Sequence, residues 1–327
     1  MTDKILNWGL LSTALINRSL IKPLRASSRA KVFAVASRTQ SAADEYVREW
    51  KIPRAHGSYD ALINDPEIDV IFNPLPNHLH AEWTIKALRV GKHVLCEKPF
   101  ALTLDEVDAM SAAAKETGKV LAEAFMYRHH PQTLKVQEIV ASGALGKLQL
   151  IKGAFSFTLN REGNFRFVKE FGGGSIWDVG CYPISYARMI VGANPLEVFG
   201  WQTEGQGGWD ESFVGQMRFK DGIHAQFDSG FKSPLRAFME IVGAEGVLRI
   251  PSPFRPRSAS EIFLKRGDKE ETIKIKGGEL YRGEVEDMHA AILLGKAPRV
   301  SLEDSRGNIQ TILALLESAR MGKSVLI

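Results

Sequence analysis

Cysteine is almost absent from this chain. Cys96 and Cys181 are the only two, which excludes a disulfide framework and points to a reducing setting. No apolar run approaches the roughly 18 residues of a membrane-spanning helix, and the first residues lack the pattern of a secretory leader. A cytoplasmic location and no membrane partner are therefore expected. Charge of one sign is also scarce. A net charge of +4 over 327 residues does not argue for nucleic acid as a partner. Repeats and low-complexity stretches are missing. What remains is an ordinary globular composition, long enough for two cores rather than one. One local excess stands out: Arg18, Lys22, Arg25, Arg29 and Lys31 have no acid among them. They read as a solvated helix face that could help attract an anionic cofactor.

Glycine is missing where a nucleotide-binding turn would favour it. Residues 5–11 form an apolar strand, followed by the turn Ser12-Thr13-Ala14-Leu15-Ile16-Asn17. A helix comes next, with Leu15, Ile16 and Leu20 on one side, and Pro23 is expected to kink or end it. Residues 31–36 are the second strand. This is a βαβ unit with a right-handed crossover. The small positions of G-x-G-x-x-G fall on Ser12, Ala14 and Asn17. Ser and Ala still let a pyrophosphate approach the helix N-terminus, though they tolerate positive φ less well than glycine. An acid is missing too. The second strand ends in Ser37-Arg38-Thr39, where an NAD site usually places Asp or Glu on the ribose 2′-OH. A hydroxyl and a guanidinium suit a 2′-phosphate instead, so NADP is preferred over NAD.

Two further strands end in loops of unusual chemistry. Residues 69–72 lead into Asn73-Pro74-Leu75-Pro76-Asn77-His78-Leu79-His80, kept extended by its prolines. The H-x-H pair has no third ligand close in sequence, so no metal is expected. His80 is expected to face cofactor or substrate. Residues 94–96 form a short buried strand that leads into Glu97-Lys98-Pro99-Phe100. Pro99 forbids a helical conformation at Lys98 and cannot donate to a ladder. Lys98 is thus held at the carboxyl end of a strand, where such folds bind ligands. Thr103-Leu104-Asp105-Glu106 is a capping box, and residues 120–122 are another strand.

After this the strand–helix alternation stops. The division expected is a dinucleotide-binding domain over 1–124 and a substrate-binding and oligomerisation domain over 125–327, the last helix being free to pack back on the first domain. Strands at hairpin spacing fill the second part, at 148–157, 197–203, 214–219, 224–229, 236–242, 246–250, 262–265 and 271–276. They imply a mainly antiparallel sheet. Among them lies Gly172-Gly173-Gly174-Ser175-Ile176-Trp177-Asp178-Val179-Gly180-Cys181-Tyr182-Pro183. A helix starting near Ser175 or Trp177 would place Asp178 and Tyr182, four residues apart, on one face. A carboxylate and a phenol aimed together can bind and deprotonate a hydroxyl. Equally, Asp178 could cap the helix and Tyr182 be core.

Asn73-Pro74 with Pro76-Asn77-His78 and His80, then Gly91-Lys92-His93-Val94-Leu95-Cys96-Glu97-Lys98-Pro99, then Asp178-x-Gly180-x-Tyr182 closely resemble the glucose–fructose oxidoreductase / inositol dehydrogenase / rhizopine-catabolism (Gfo/Idh/MocA) family. Residues 123–128 and 177–183 resemble the branch that contains dimeric trans-dihydrodiol dehydrogenase and NADP-dependent D-xylose dehydrogenase. The resemblance implies an α/β Rossmann domain followed by an open, mainly antiparallel β-sheet domain, α+β in kind, whose outer face often makes dimers. It implies a nicotinamide cofactor, with Lys98 and Tyr182 catalytic and Asp178 supporting the substrate. Candidate cofactor contacts are Ser12, Thr13, Ala14, Leu15 and Ile16 at the first turn, and Ser37 and Arg38 at the second strand. Asn73, Pro74, Leu75, Asn77, His80, Glu97, Lys98 and Arg128 complete that set. Asn160, Arg161, Asn164, Arg166 and Trp177 are candidates to line a substrate pocket with Lys98, Asp178 and Tyr182.

The function implied is hydride transfer between nicotinamide and a hydroxyl or carbonyl carbon of a sugar or related polyol, such as aldose to lactone. Alternatives are a dihydrodiol, inositol or keto-sugar oxidoreductase, or a non-catalytic dinucleotide-sensing regulator like the galactose-repressor proteins of yeasts. The presence of Lys98, Asp178 and Tyr182 favours an enzyme. A homodimer or higher homo-oligomer is expected.

Overall fold

In a computed structural model, the structure describes residues 4–160 and 163–327. They divide into two compact units: one formed by residues 1–129 and 281–306, the other by 130–280 and 307–327.

The first unit is a doubly wound α/β fold. Its strands are β1 (Leu6–Leu10), β2 (Ala30–Ala36), β3 (Arg54–His56), β4 (Val70–Asn73), β5 (His93–Glu97) and β6 (Leu121–Ala124). They pair in the order β3-β2-β1-β4-β5-β6, and every pair is parallel. Helices on both faces cover such a sheet, so its strands read as continuous apolar runs. All of β4 and β6 is buried. The helices are α1 (Asn17–Ala26), α2 (Gln40–Trp50), α3 (Tyr59–Ile63), α4 (His80–Arg89) and α5 (Leu104–Thr117). The reversal of strand order lies between β1 and β4, and the carboxyl ends there are the ligand-binding edge of this architecture. Of the two expectations for Pro23, a kink or an end of α1, the end is not met. The helix runs three residues past it, and Pro23 is buried there with Leu20, Ile21 and Leu24, which offsets a single missing N–H.

The second unit begins with α6 (Pro131–Ala141) and is built on nine strands. These are β7 (Leu148–Ser156), β8 (Glu197–Glu204), β9 (Asp210–Arg218), β10 (His224–Gly230), β11 (Arg236–Gly243), β12 (Val247–Ile250), β13 (Ala259–Arg266), β14 (Lys269–Lys276) and β15 (Val325–Leu326). Their order is β14-β13-β12-β11-β7-β10-β9-β8-β15. Only β10 and β7 run parallel; the other described pairs are antiparallel. Period-two alternation sorts the side chains. Ile151, Phe155, Phe213, Phe227 and Ile241 are buried, while Trp201, Val214 and Phe238 on the opposite face are exposed. The helix α7 (Cys181–Val191) belongs to this unit. Two helices close the chain. Helix α8 (Arg282–Leu294) belongs to the first unit, where His289 accepts the Trp8 indole N–H at 3.2 Å. Helix α9 (Leu302–Met321) begins in the first unit and continues in the second. Among the described residues, no helix is long and apolar enough to cross a membrane.

The expected capping box is formed at α5. Thr103 Oγ1 accepts from the Glu106 N–H at 3.2 Å, and the Glu106 carboxylate accepts from the Thr103 N–H at 3.2 Å. Thr103→Ala should lower the stability of the first unit by about 1 kcal/mol, read as a shifted urea midpoint at unchanged slope. An unmoved midpoint would show that the cap does not govern this helix.

Candidate active site

In the first unit, the turn between β1 and α1 is held by its own polar groups. The Ala14 N–H donates to Ser12 Oγ at 3.2 Å, and Asn17 Nδ2 donates to the Ser12 carbonyl at 2.6 Å. Asn17 is fully buried. It replaces the missing glycine with an anchor for the turn. No acid stands in the first turn of α1, so the positive end of its dipole suits an anion such as pyrophosphate. At the end of β2, the Ser37 N–H donates to the His56 carbonyl at 3.0 Å. Arg38 is exposed. Thr39 caps α2, whose first turn also lacks an acid. Donor chemistry at both turns fits a dinucleotide with a 2′-phosphate.

The loop after β4 is organised by Asn73. Its Nδ2 donates to the His80 carbonyl and to Thr84 Oγ1, both at 3.1 Å, and its Oδ1 accepts from the Leu75 N–H at 3.3 Å. Pro74, Leu75 and Asn77 are buried with it. His80 was expected to face a ligand and does not. Its ring is fully buried, with Nδ1 2.8 Å from the Pro99 carbonyl and Nε2 2.7 Å from the Leu75 carbonyl. Burial pushes its pKa down to about 4, while the two carbonyl acceptors pull upward. The ring is a support between two loops.

Lys98 is half-buried on the turn after β5. Its N–H donates to Glu97 Oε2 at 3.2 Å. Two residues on, the Phe100 N–H donates to Glu123 Oε1 at 3.0 Å. Glu123 lies on β6 and is buried; burial pushes its pKa up to about 7. Arg128 is buried and ion-paired with Asp304 at 2.8 Å, so its charge is already matched within this unit. Cys96 is a core thiol whose pKa burial raises.

In the second unit, the three glycines let the backbone fold tightly on itself. The Gly173 N–H donates to the Val168 carbonyl at 2.9 Å, and that of Gly174 to the Arg166 carbonyl at 3.0 Å. Gly174 has φ +118°, and a Cβ there would collide with the Asp210 carboxylate. Asp210, at the start of β9, accepts from Ser175 Oγ at 2.6 Å and from the Ile176 N–H at 2.9 Å. The chain then forms a wide π turn over Ile176–Gly180 before α7. Asp178 stands on this turn and Tyr182 on the first turn of α7, rather than one above the other on a regular helix. Such π turns occur often at functional sites.

Asp178 Oδ2 is 2.7 Å from Arg166 Nε, a pairing of two candidates that the sequence did not indicate. Tyr182 is 5% exposed and packs between Phe155 and Phe254, with ring centroids at 5.3 and 5.4 Å. Trp177 is buried, Asn160 exposed, and Asn164 accepts from the Arg166 N–H at 3.0 Å. Arg161 lies outside the described residues. Sequence reasoning missed Glu123 and Asp210, because each acts on backbone distant along the chain.

Residues 6–125 match the model of the GFO/IDH/MocA oxidoreductase family, NAD-binding Rossmann fold, and residues 133–249 match a C-terminal domain of the same family. A D-xylose 1-dehydrogenase (NADP(+)) of Haloferax volcanii is 36% identical over 322 residues, covering 97% of this chain and 98% of that protein. The structure of a 3-ketoreductase from Actinomadura kijaniata in complex with NADP and TDP-benzene superposes with a TM-score of 0.91 at 28% identity, covering 96% of this chain and 98% of that one. An aldose-aldose oxidoreductase from Caulobacter crescentus, complexed with glycerol, gives 0.92 at 25% identity, covering 99% and 100%.

Burial pushes the Asp210 carboxyl up from 3.8 to about 7. The folded state then holds a proton that the unfolded state has released. Stability falls as pH rises from about 4 to about 7 and levels off above. Asp210→Asn keeps an acceptor without the charge. Its melting temperature relative to the parent should therefore rise across that window. A gap that does not change with pH would mean that Asp210 ionises normally.

Proposed function

Because the chain belongs to the Gfo/Idh/MocA oxidoreductase family and is an NAD(P)-dependent dehydrogenase or reductase, we propose that its substrate is an aldose such as D-xylose, oxidised to the lactone with NADP. The observation that carries this reading is the end-to-end likeness to the haloarchaeal D-xylose 1-dehydrogenase (NADP(+)). Arg38 at the end of β2 supports the choice of NADP.

The nicotinamide cofactor supplies the site that takes up hydride from the alcohol carbon. Tyr182 takes the hydroxyl proton as that hydride leaves, and returns it in reduction. Lys98 holds the negative charge that develops on the oxygen. Asp178, paired with Arg166, orients a sugar hydroxyl. A second reading, reduction of a keto sugar, is favoured by the likeness to the 3-ketoreductase and runs the same steps in reverse.

The expected assembly is a homodimer or a larger homo-oligomer. Trp201 is 55% exposed, Val214 46% and Phe238 37%, all on one face of the nine-stranded sheet, and apolar surface of this kind is suited to a second copy. A reducing, cytoplasmic setting accords with two buried, unjoined thiols.

Absorbance at 340 nm with D-xylose, other aldoses and keto sugars, and with NADP⁺ against NAD⁺, tests the activity. Tyr182→Phe should lower kcat by about 10²–10⁴-fold with cofactor binding retained. Full turnover in that variant removes Tyr182 from the chemistry, and a clear preference for NAD⁺ removes Arg38 from cofactor selection. Separately, Trp201→Glu should halve the mass found by light scattering, and a monomeric parent protein would sink the assembly.

A further inference from the structure

The turn that carries Lys98 is gripped on both sides by buried side chains that the proposed chemistry does not use. On one side His80, at the start of α4, meets the Pro99 carbonyl at 2.8 Å and the Leu75 carbonyl at 2.7 Å. On the other, Glu123 of β6 accepts from the Phe100 N–H at 3.0 Å. Both side chains are at most 2% exposed. The strands involved, β4, β5 and β6, are neighbours in the sheet, so the two groups reach the turn from opposite flanks. Asn73 locks His80 in place through its backbone carbonyl at 3.1 Å.

We propose that His80 and Glu123 are positioning residues that fix the Lys98 turn from its two flanks and so set where the Lys98 ammonium stands. This rests on the reading of Lys98 as a catalytic residue. Both side chains are buried and meet backbone groups of the protein itself. His80 has a protein carbonyl at each ring nitrogen, and Glu123 holds a backbone donor. Ordinary packing could fill either space with an apolar residue. A buried imidazole and a buried carboxylate are costly there unless they are hydrogen-bonded, and the backbone groups they bond lie one and two residues beyond Lys98. Misplacing a catalytic group by about 1 Å can cost about 10²-fold in rate.

The test is a double-mutant cycle read in single-turnover kinetics at 340 nm. His80→Gln, which replaces the rigid ring set between the two carbonyls with a flexible amide, should lower kcat by about tenfold or more while cofactor affinity by fluorescence titration stays within about twofold. In a Lys98→Ala background the same change should cost nothing further, because its effect passes through Lys98. Losses that multiply would mark His80 as a general support of the fold and overturn the proposal, as would unchanged kcat in the single variant. Glu123 provides an independent arm if His80→Gln does not fold. Glu123→Leu should lose kcat like His80→Gln, and Glu123→Gln, which keeps the acceptor, should recover most of it. Equal loss in both Glu123 variants overturns the clamp on that flank. Wild-type turnover in Lys98→Ala sinks the catalytic reading of Lys98 and the clamp with it. A normal Lys98→Ala loss with silent His80 and Glu123 variants sinks the clamp alone.

Discussion

The Pro99 carbonyl is buried beyond the last residue of β5, where no neighbouring strand can serve it. A buried carbonyl left without a partner costs on the order of 1–3 kcal/mol, and His80 Nδ1 stands 2.8 Å from it. Much of the local order follows from that one bond. His80 must sit at the first turn of α4, which places the loop between β4 and α4. That loop must be short; Pro74 and Pro76 stiffen its first part, and a 3-10 turn over Asn77–Leu79 completes it. Asn73 then holds the His80 backbone and the Leu75 N–H. Two separate loops become one piece, and Lys98 inherits its rigidity.

Much of this was legible in the sequence, and for identifiable reasons. The strands of the second unit alternate with period two and are separated by turn residues, so nearly every one fell within a few residues of its observed bounds. The Lys98 turn was legible because proline acts locally: Pro99 constrains the residue before it and removes a donor. The cap at Thr103 acts over three residues and was equally plain. What was not legible acts at a distance. Glu123 serves a backbone N–H 23 residues earlier in the chain, and Asp210 serves one 34 residues earlier. No spacing rule links such pairs. Pro23 misled because its local penalty was outweighed by packing, and His80 because a loop histidine gives no sign of which way its ring turns. The π turn at Ile176–Gly180 hides behind a spacing that suits an α-helix.

Glu123 and Asp210 do the same thing in different units. Each is a buried carboxylate on a sheet strand, and each accepts a backbone N–H from a segment that carries a candidate catalytic group: the Lys98 turn in one case, the turn of Asp178 in the other. Burial raises both pKa values to about 7, so both lose stabilisation when they ionise. An asparagine or glutamine could accept the same bond without that cost. An ionised carboxylate nevertheless makes a shorter and stronger bond than an amide, and in that form its two oxygens are equivalent and leave no wrong orientation. An amide can flip, presenting a donor to a donor. The arrangement therefore exchanges stability for a single geometry of the backbone under each motif. That exchange is expected where position matters more than fold stability, because cores tolerate small shifts that hydride transfer does not.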